Sequence, residues 1–111
     1  IDPAVDAKIS TQEVFGPVVA VYRYHDLDDA ITRANALPTA FQSSIFAQDI
    51  GVAMRAADRL DASAVMINEL TAFRTDWMPF AGRRESGYGI GGIGYTMRDM
   101  TEEKMILIAR R

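Results

Sequence analysis

Apolar and polar positions change their spacing several times along this chain, and each change marks an element. Residues 18–24 (Val-Val-Ala-Val-Tyr-Arg-Tyr) are β-branched and aromatic with almost no polar interruption, which predicts a strand buried on both faces. Asp26 stands where a helix N-cap belongs, with Asp29 at capping-box spacing and acids placed to suit the positive end of a helix. Leu27, Ala30, Ile31, Ala34 and Leu37 then recur at helical spacing until Pro38 stops them. Residues 43–47 form a short strand pattern. Asp49 is placed to cap a second helix, with the stripe Ile50, Ala53, Met54, Ala57 and Leu60. Residues 63–68 read as a third strand. The order β-α-β-α-β, with crossovers of helical length, predicts an α/β fold with a mostly parallel sheet and right-handed connections.

The ends are less patterned. Residues 1–12 read as extended or looped, and Pro17 disfavours helix at Gly16. Residues 95–100 suit a helical turn or two. Residues 104–109 (Lys-Met-Ile-Leu-Ile-Ala) make a last strand whose apolar edge either docks in its own sheet or completes a neighbour's. Between them lies a long loop, residues 69–94, of a length that compact domains usually reserve for function.

That loop holds six of the chain's eight glycines, all between Gly82 and Gly94. Glycine loses the most backbone freedom on folding. Trp77, Met78, Phe80, Tyr88 and Ile90, interleaved or adjacent, want burial, so the stretch reads as an ordered loop and not a linker. Gly87-x-Gly89-x-x-Gly92 and Gly89-x-Gly91-x-x-Gly94 both fit a dinucleotide fingerprint. That motif needs a strand before it, and a helix, a second strand and a ribose-binding acid roughly 20 residues on. The residues before it are charged and turn-like, and the chain after Gly94 is too short for the remainder, so the fingerprint is not used as one.

Composition narrows the class. The 111 residues are 49% hydrophobic and 24% charged, which fits one soluble globular domain at most. The net charge of −3 comes with no basic block, which argues against nucleic acid, and no apolar run reaches membrane-span length. With no cysteine there is no disulfide, no thiolate nucleophile and no cysteine-based metal site, and a cytoplasmic setting is expected. His25 has no second ligand at metal spacing, and Asp26, Asp28 and Asp29 fit capping and not a calcium loop, so no metal is expected. The chain opens on Ile1-Asp2-Pro3, which reads as the middle of a longer domain.

Two stretches resemble the aldehyde dehydrogenase superfamily of NAD(P)-dependent oxidoreductases. Gln12-Glu13-Val14-Phe15-Gly16-Pro17-Val18-Val19 is similar to the family's E-E-[IV]-F-G-P-V. Val65-Met66-Ile67-Asn68, followed by Pro79-Phe80-Ala81-Gly82-Arg83-Arg84-Glu85-Ser86-Gly87-Tyr88-Gly89, is similar to V-N … P-F-G-G-x-K-x-S-G-x-G. The resemblance runs over the whole chain and places it at the C-terminal end of the family's sequence. It implies residues 1–101 as the C-terminal part of a catalytic domain and 102–111 as an oligomerisation strand through which a homo-oligomer assembles. Ala81 stands where the family usually has glycine, Arg84 where it has lysine, and Gly89-Ile90-Gly91-Gly92 where it has G-R-E-G. These departures leave the subfamily open.

The resemblance also implies roles. Glu13 would hold the two hydroxyls of the nicotinamide ribose, since a carboxylate offers two acceptors to a vicinal diol. Phe15 would pack beside the nicotinamide. Asn68, Thr71, Phe73, Arg74 and Phe80 would line the funnel for a small-molecule aldehyde, and Ser86, Gly87 and Gly89 would shape the loop after it. Read from the residues alone, Glu13 is a surface acid or a cap near Gly16, and Phe15 a core aromatic. Arg74 either is solvated or pairs with Asp76, or else it binds an anionic group on the aldehyde. No catalytic residue lies in this chain: the family's nucleophilic cysteine, general-base glutamate, oxyanion asparagine and Rossmann domain all lie upstream. The chain alone is therefore expected to be inactive and to bind NAD or NADP weakly. A rival reading is a non-catalytic interaction module that self-associates through its exposed β edge.

Overall fold

Local capping fixes the two main helices as expected. The computed structural model describes residues 1–110. A single helical turn, α1 (Lys8–Thr11), opens the chain where the sequence pattern showed none. In α2 (Leu27–Asn35), Asp26 Oδ1 accepts from the Asp29 amide at 3.0 Å. Two short strands follow, β1 (Thr39–Ala40) and β2 (Gln42–Ile45). In α3 (Ile50–Arg59), Asp49 accepts from the amides of Gly51 and Val52 at 2.7 and 3.1 Å. Then come β3 (Ala64–Ile67), β4 (Arg83–Arg84) and α4 (Ile93–Asp99).

The second half of the expected β-α-β-α-β order is a βαβ unit. β2 pairs parallel with β3, Gln42 facing Ala64 and Ile45 facing Ile67, and α3 lies across both strands with α2 against α3. The centre of this unit is Ile31, Ala53, Ala56 and Met66, each under a tenth exposed. The stripe on α3 therefore turns about one position from the sequence expectation: Ala56 is buried, whereas Ile50 and Met54 face outward.

Residues 18–24 correct the first half. They join no ladder among the described residues, and Val19 is 82% exposed. Side chains hold them instead. Asp2 Oδ1 accepts from the Arg23 amide at 2.8 Å, Asp2 Oδ2 accepts from Arg23 Nε at 2.7 Å, and the Asp2 amide donates to the Val21 carbonyl at 2.6 Å. The Tyr22 hydroxyl donates to Ser10, and the Arg33 guanidinium lies 4.9 Å from the Tyr22 ring centre. A strand pattern needs a neighbouring strand to become a ladder, and among the described residues none lies beside it. Likewise residues 104–109 join no ladder among the described residues, and Met105, Ile106, Leu107 and Ile108 are each at least 74% exposed. The last strand does not dock in its own sheet.

The clasp at Asp2 carries a pH prediction. Hydrogen bonds from the Arg23 amide and then its side chain hold the Asp2 carboxyl below the ordinary aspartate value. A carboxylate whose pKa is lower in the folded state stabilises above its unfolded value and loses that contribution as pH falls through the folded one. Acidification through the carboxylate range should thus release residues 1–4 from 21–23. The protection of the Arg23 amide, its exchange measured against the intrinsic rate at each pH, should fall below that range in the native sequence and should be low at every pH in Asp2→Asn.

The long loop is ordered by a second sheet that the sequence did not reveal. β4 pairs antiparallel with β1, Thr39 facing Arg84 and Ala40 facing Arg83. The Glu85 amide donates to the Pro38 carbonyl at 3.0 Å, and the Ala40 amide donates to Ser86 Oγ at 3.0 Å. Phe80 and Gly91 exchange two backbone hydrogen bonds, at 3.0 and 2.7 Å. Three glycines take left-handed or open angles that other residues resist, Gly87 at φ 152°, Gly89 at 76° and Gly92 at 116°.

Much apolar surface stays bare. The accessible area is 9437 Å², against about 6100 Å² for a compact monomer of this mass. The radius of gyration is 19.4 Å, against about 13 Å for a compact chain of this length.

Candidate functional site

The residues singled out above fall into two groups. The first surrounds Glu13. Helix α1 ends at Gln12, whose amide closes on the Lys8 carbonyl, and the backbone then turns extended, delivering Glu13 to the rim of a cleft of about 400 Å³. Gln12, Asn35, Ser43, Asp61 and Ser86 share that cleft. Among the described residues no cation lies within ion-pair distance of Glu13, so both carboxylate oxygens are available. Phe15, two positions on, is 91% exposed and presents a bare ring. A carboxylate with no ion-pair partner offers two acceptors to hydroxyl groups, and a bare aromatic ring offers a face to a planar group. No cluster of His, Cys, Asp or Glu capable of holding a metal occurs among the described residues.

The second group is the loop after β3. Asn68 stands at φ 55°, the left-handed region that asparagine tolerates better than most residues. Its side chain is occupied: Oδ1 accepts from the Ala47 amide at 2.9 Å and Nδ2 donates to the Ala47 carbonyl at 3.0 Å. Asn68 thereby extends the β2–β3 pairing by one step and fixes the direction in which the loop leaves the sheet. Thr71 and Phe73 are exposed along it. Arg74 curls back so that its guanidinium lies 4.2 Å from the centre of the Phe80 ring, a cation–π contact. Phe80 in turn meets Phe41 edge-on, with ring centres 4.7 Å apart. Of the alternatives offered for Arg74, the pair with Asp76 does not form: the side chain is exposed, and among the described residues no carboxylate lies within ion-pair distance of it.

Sequence reasoning missed Phe41 as a partner of this wall, and it gave Ser86 a part in shaping the loop without its partner Ala40. Phe41 lies between two strands too short to show a period, and Ser86 acts through a backbone amide 46 positions away in sequence.

With this geometry, the comparisons with known proteins agree on a class. Residues 1–106 match the aldehyde dehydrogenase family. The chain belongs to that family. It is 37% identical to a 3-sulfolactaldehyde dehydrogenase of Priestia aryabhattai over 103 residues, 93% of this chain and 22% of that protein. Its fold superposes on aldehyde dehydrogenase 21 of Physcomitrella patens, solved with its reaction product succinate, with a TM-score of 0.85 and 35% identity over 91% of this chain and 21% of that one. An NAD+ complex of a Bacillus cereus aldehyde dehydrogenase matches with a TM-score of 0.85 and 31% identity, over 91% of this chain and 20% of that one. The chain thus spans about a fifth of the length of the proteins it matches.

Proposed function

We propose that this chain is the C-terminal part of an NAD(P)-dependent aldehyde dehydrogenase that oxidises an aldehyde carrying an anionic group to the carboxylic acid. The observation behind the anionic substrate is Arg74, an exposed guanidinium in cation–π contact with Phe80 and with no acid within ion-pair distance among the described residues. The cation–π contact anchors the guanidinium head over the ring, and a guanidinium takes a carboxylate, sulfonate or phosphate by two parallel hydrogen bonds. The similarity to a 3-sulfolactaldehyde dehydrogenase, and to an enzyme whose product is succinate, supports the same reading.

In this reading residues 1–101 complete the catalytic domain and 102–111 form the assembly strand of a cytoplasmic homo-oligomer. Glu13 binds the ribose hydroxyls and Phe15 covers one side of the nicotinamide ring. Held by these residues, NAD or NADP would supply the hydride acceptor for the oxidation. Thr71, Phe73, Arg74 and Phe80 line the path of the aldehyde, and Asn68 sets where that wall begins. Together they orient the substrate and exclude water, while the nucleophile and general base come from sequence not in this chain.

The test is Arg74→Ala in the complete enzyme. KM for an acidic aldehyde should rise by about tenfold or more, with KM for a neutral aldehyde of similar size within about twofold of the original. An equal rise for both would remove the anionic substrate from the proposal.

A further inference from the structure

The wall made by Arg74 and Phe80 stands on a loop that its own short ladder does not secure, since β4 has two residues and strands that short are marginal. A knot of polar groups at the helix ends holds it. The Asn35 side chain joins the C-terminal ends of α2 and α3: Nδ2 donates to the Arg59 carbonyl at 2.8 Å, and Oδ1 accepts from the Asp61 amide at 2.9 Å. The Asp61 carboxylate then takes both arginines of β4. One oxygen accepts from Arg83 Nη1, and the other lies 3.7 Å from Arg84 Nη1, which itself donates to the Asn35 carbonyl. Arg84 holds φ 55°, a conformation that a side chain such as arginine keeps only when its surroundings impose it.

The knot connects to the wall through a short, stiff path. Glu85 and Ser86 bind Pro38 and Ala40 on one side of β4. On the other, Gly82 packs against the Ser86 backbone so closely that an added Cβ would sit 2.5 Å from the Ser86 carbonyl carbon. Phe80 follows two residues before Gly82, paired with Gly91, edge-on to Phe41 and beneath Arg74.

We propose that Asp61 is a positioning residue: by binding Arg83 and facing Arg84 it sets the distance between the Phe80–Arg74 wall and Phe41, and so sets KM for the aldehyde without touching it. This rests on the reading that Phe80 and Arg74 line the aldehyde path. The chemistry favours an acid here, because a carboxylate offers two charged acceptors to two guanidiniums and an amide offers one neutral acceptor.

The test is Asp61→Asn in the complete enzyme, with Asp61→Glu beside it. In Asp61→Asn, KM should rise several-fold for neutral aldehydes and about tenfold or more for acidic ones, with kcat within about twofold, because the whole wall shifts. Asp61→Glu should recover part of that loss. Amide exchange in residues 78–92 should accelerate while that of residues 64–67 does not change. An unchanged KM would overturn the proposal. So would a loss confined to kcat with faster exchange across residues 42–67, which marks general destabilisation. The two readings fail separately. If Arg74→Ala does not distinguish acidic from neutral aldehydes but Asp61→Asn raises KM for both, the anionic substrate falls and the positioning role stands. If Arg74→Ala discriminates and Asp61→Asn changes nothing, the reverse holds.

Discussion

Gly82→Ala should cost the complete enzyme nearly all its activity and should lower its stability by about 1–3 kcal/mol, the usual range for overpacking. A Cβ at position 82 would lie 2.5 Å from both the carbon and the oxygen of the Ser86 carbonyl and 2.8 Å from the Gly87 nitrogen. All three are backbone atoms, so no rotamer change relieves the clash. The turn from Gly82 to Ser86 has to open instead. Opening it pulls Ser86 Oγ from the Ala40 amide and Glu85 from Pro38, which removes two of the contacts that seat β4. Phe80 then loses its fixed position against Phe41 and under Arg74. Gly94→Ala is the control. It lies within α4 with nothing inside 4 Å of the added carbon, and should be neutral or stabilising by about 0.5–1 kcal/mol. Thermal unfolding and kcat/KM of the two variants decide the matter. If both behave alike, the packing of Gly82 on Ser86 does not matter to the site.

What the sequence made legible was local. Asp26 and Asp49 cap their helices through contacts that span two or three residues, and such signals survive without tertiary context. The β2–α3–β3 unit was legible because its helix stripe and two strands are contiguous. Residues 18–24 and 104–109 also carry strand patterns, but a pattern states what a segment buries and not which edge it pairs with. Both lack that edge within the described residues. The reverse failure is β1 and β4. Two residues cannot display a period, and their pairing arises from the Ser86, Pro38 and Asp61 contacts, which join positions far apart in sequence. At the site, motif resemblance marked Glu13, Phe15, Asn68 and Phe80. It did not show that the Asn68 side chain is spent on Ala47, nor that Arg74 turns to Phe80 in place of Asp76. Those depend on the loop's return path, which the glycines permit but do not encode.

Expressed alone, the 111-residue chain should show no dehydrogenase activity and no cooperative unfolding transition. The chemical reason is the absence of cysteine: oxidation of an aldehyde by the family's route needs a thiolate to add to the carbonyl before hydride departs, and none is present. The physical reason is the core. Ile31, Ala53, Ala56 and Met66 are the only buried hydrophobic residues among those described, two of them alanines, while Phe15, Tyr88 and Met105 are each at least 90% exposed. Burial at about 25 cal/mol per Å² does not offset the conformational entropy of so long a chain when so little is covered. Absorbance of the reduced nicotinamide, followed over a panel of acidic and neutral aldehydes, should rise with the complete enzyme and stay flat with this chain, and the panel should favour the acidic members. Denaturant titration of the chain should give a broad, shallow change where the complete enzyme gives a sharp one. Turnover by the chain itself would mean that this protein does not use a cysteine. Silence from both, with self-association of the chain through residues 104–109, would instead favour an interaction module. In that case the free carboxylate of Glu13 and the bare ring of Phe15 would have no ligand to explain them, so a nicotinamide nucleotide titrated against the complete enzyme and its Glu13→Gln variant settles which reading holds.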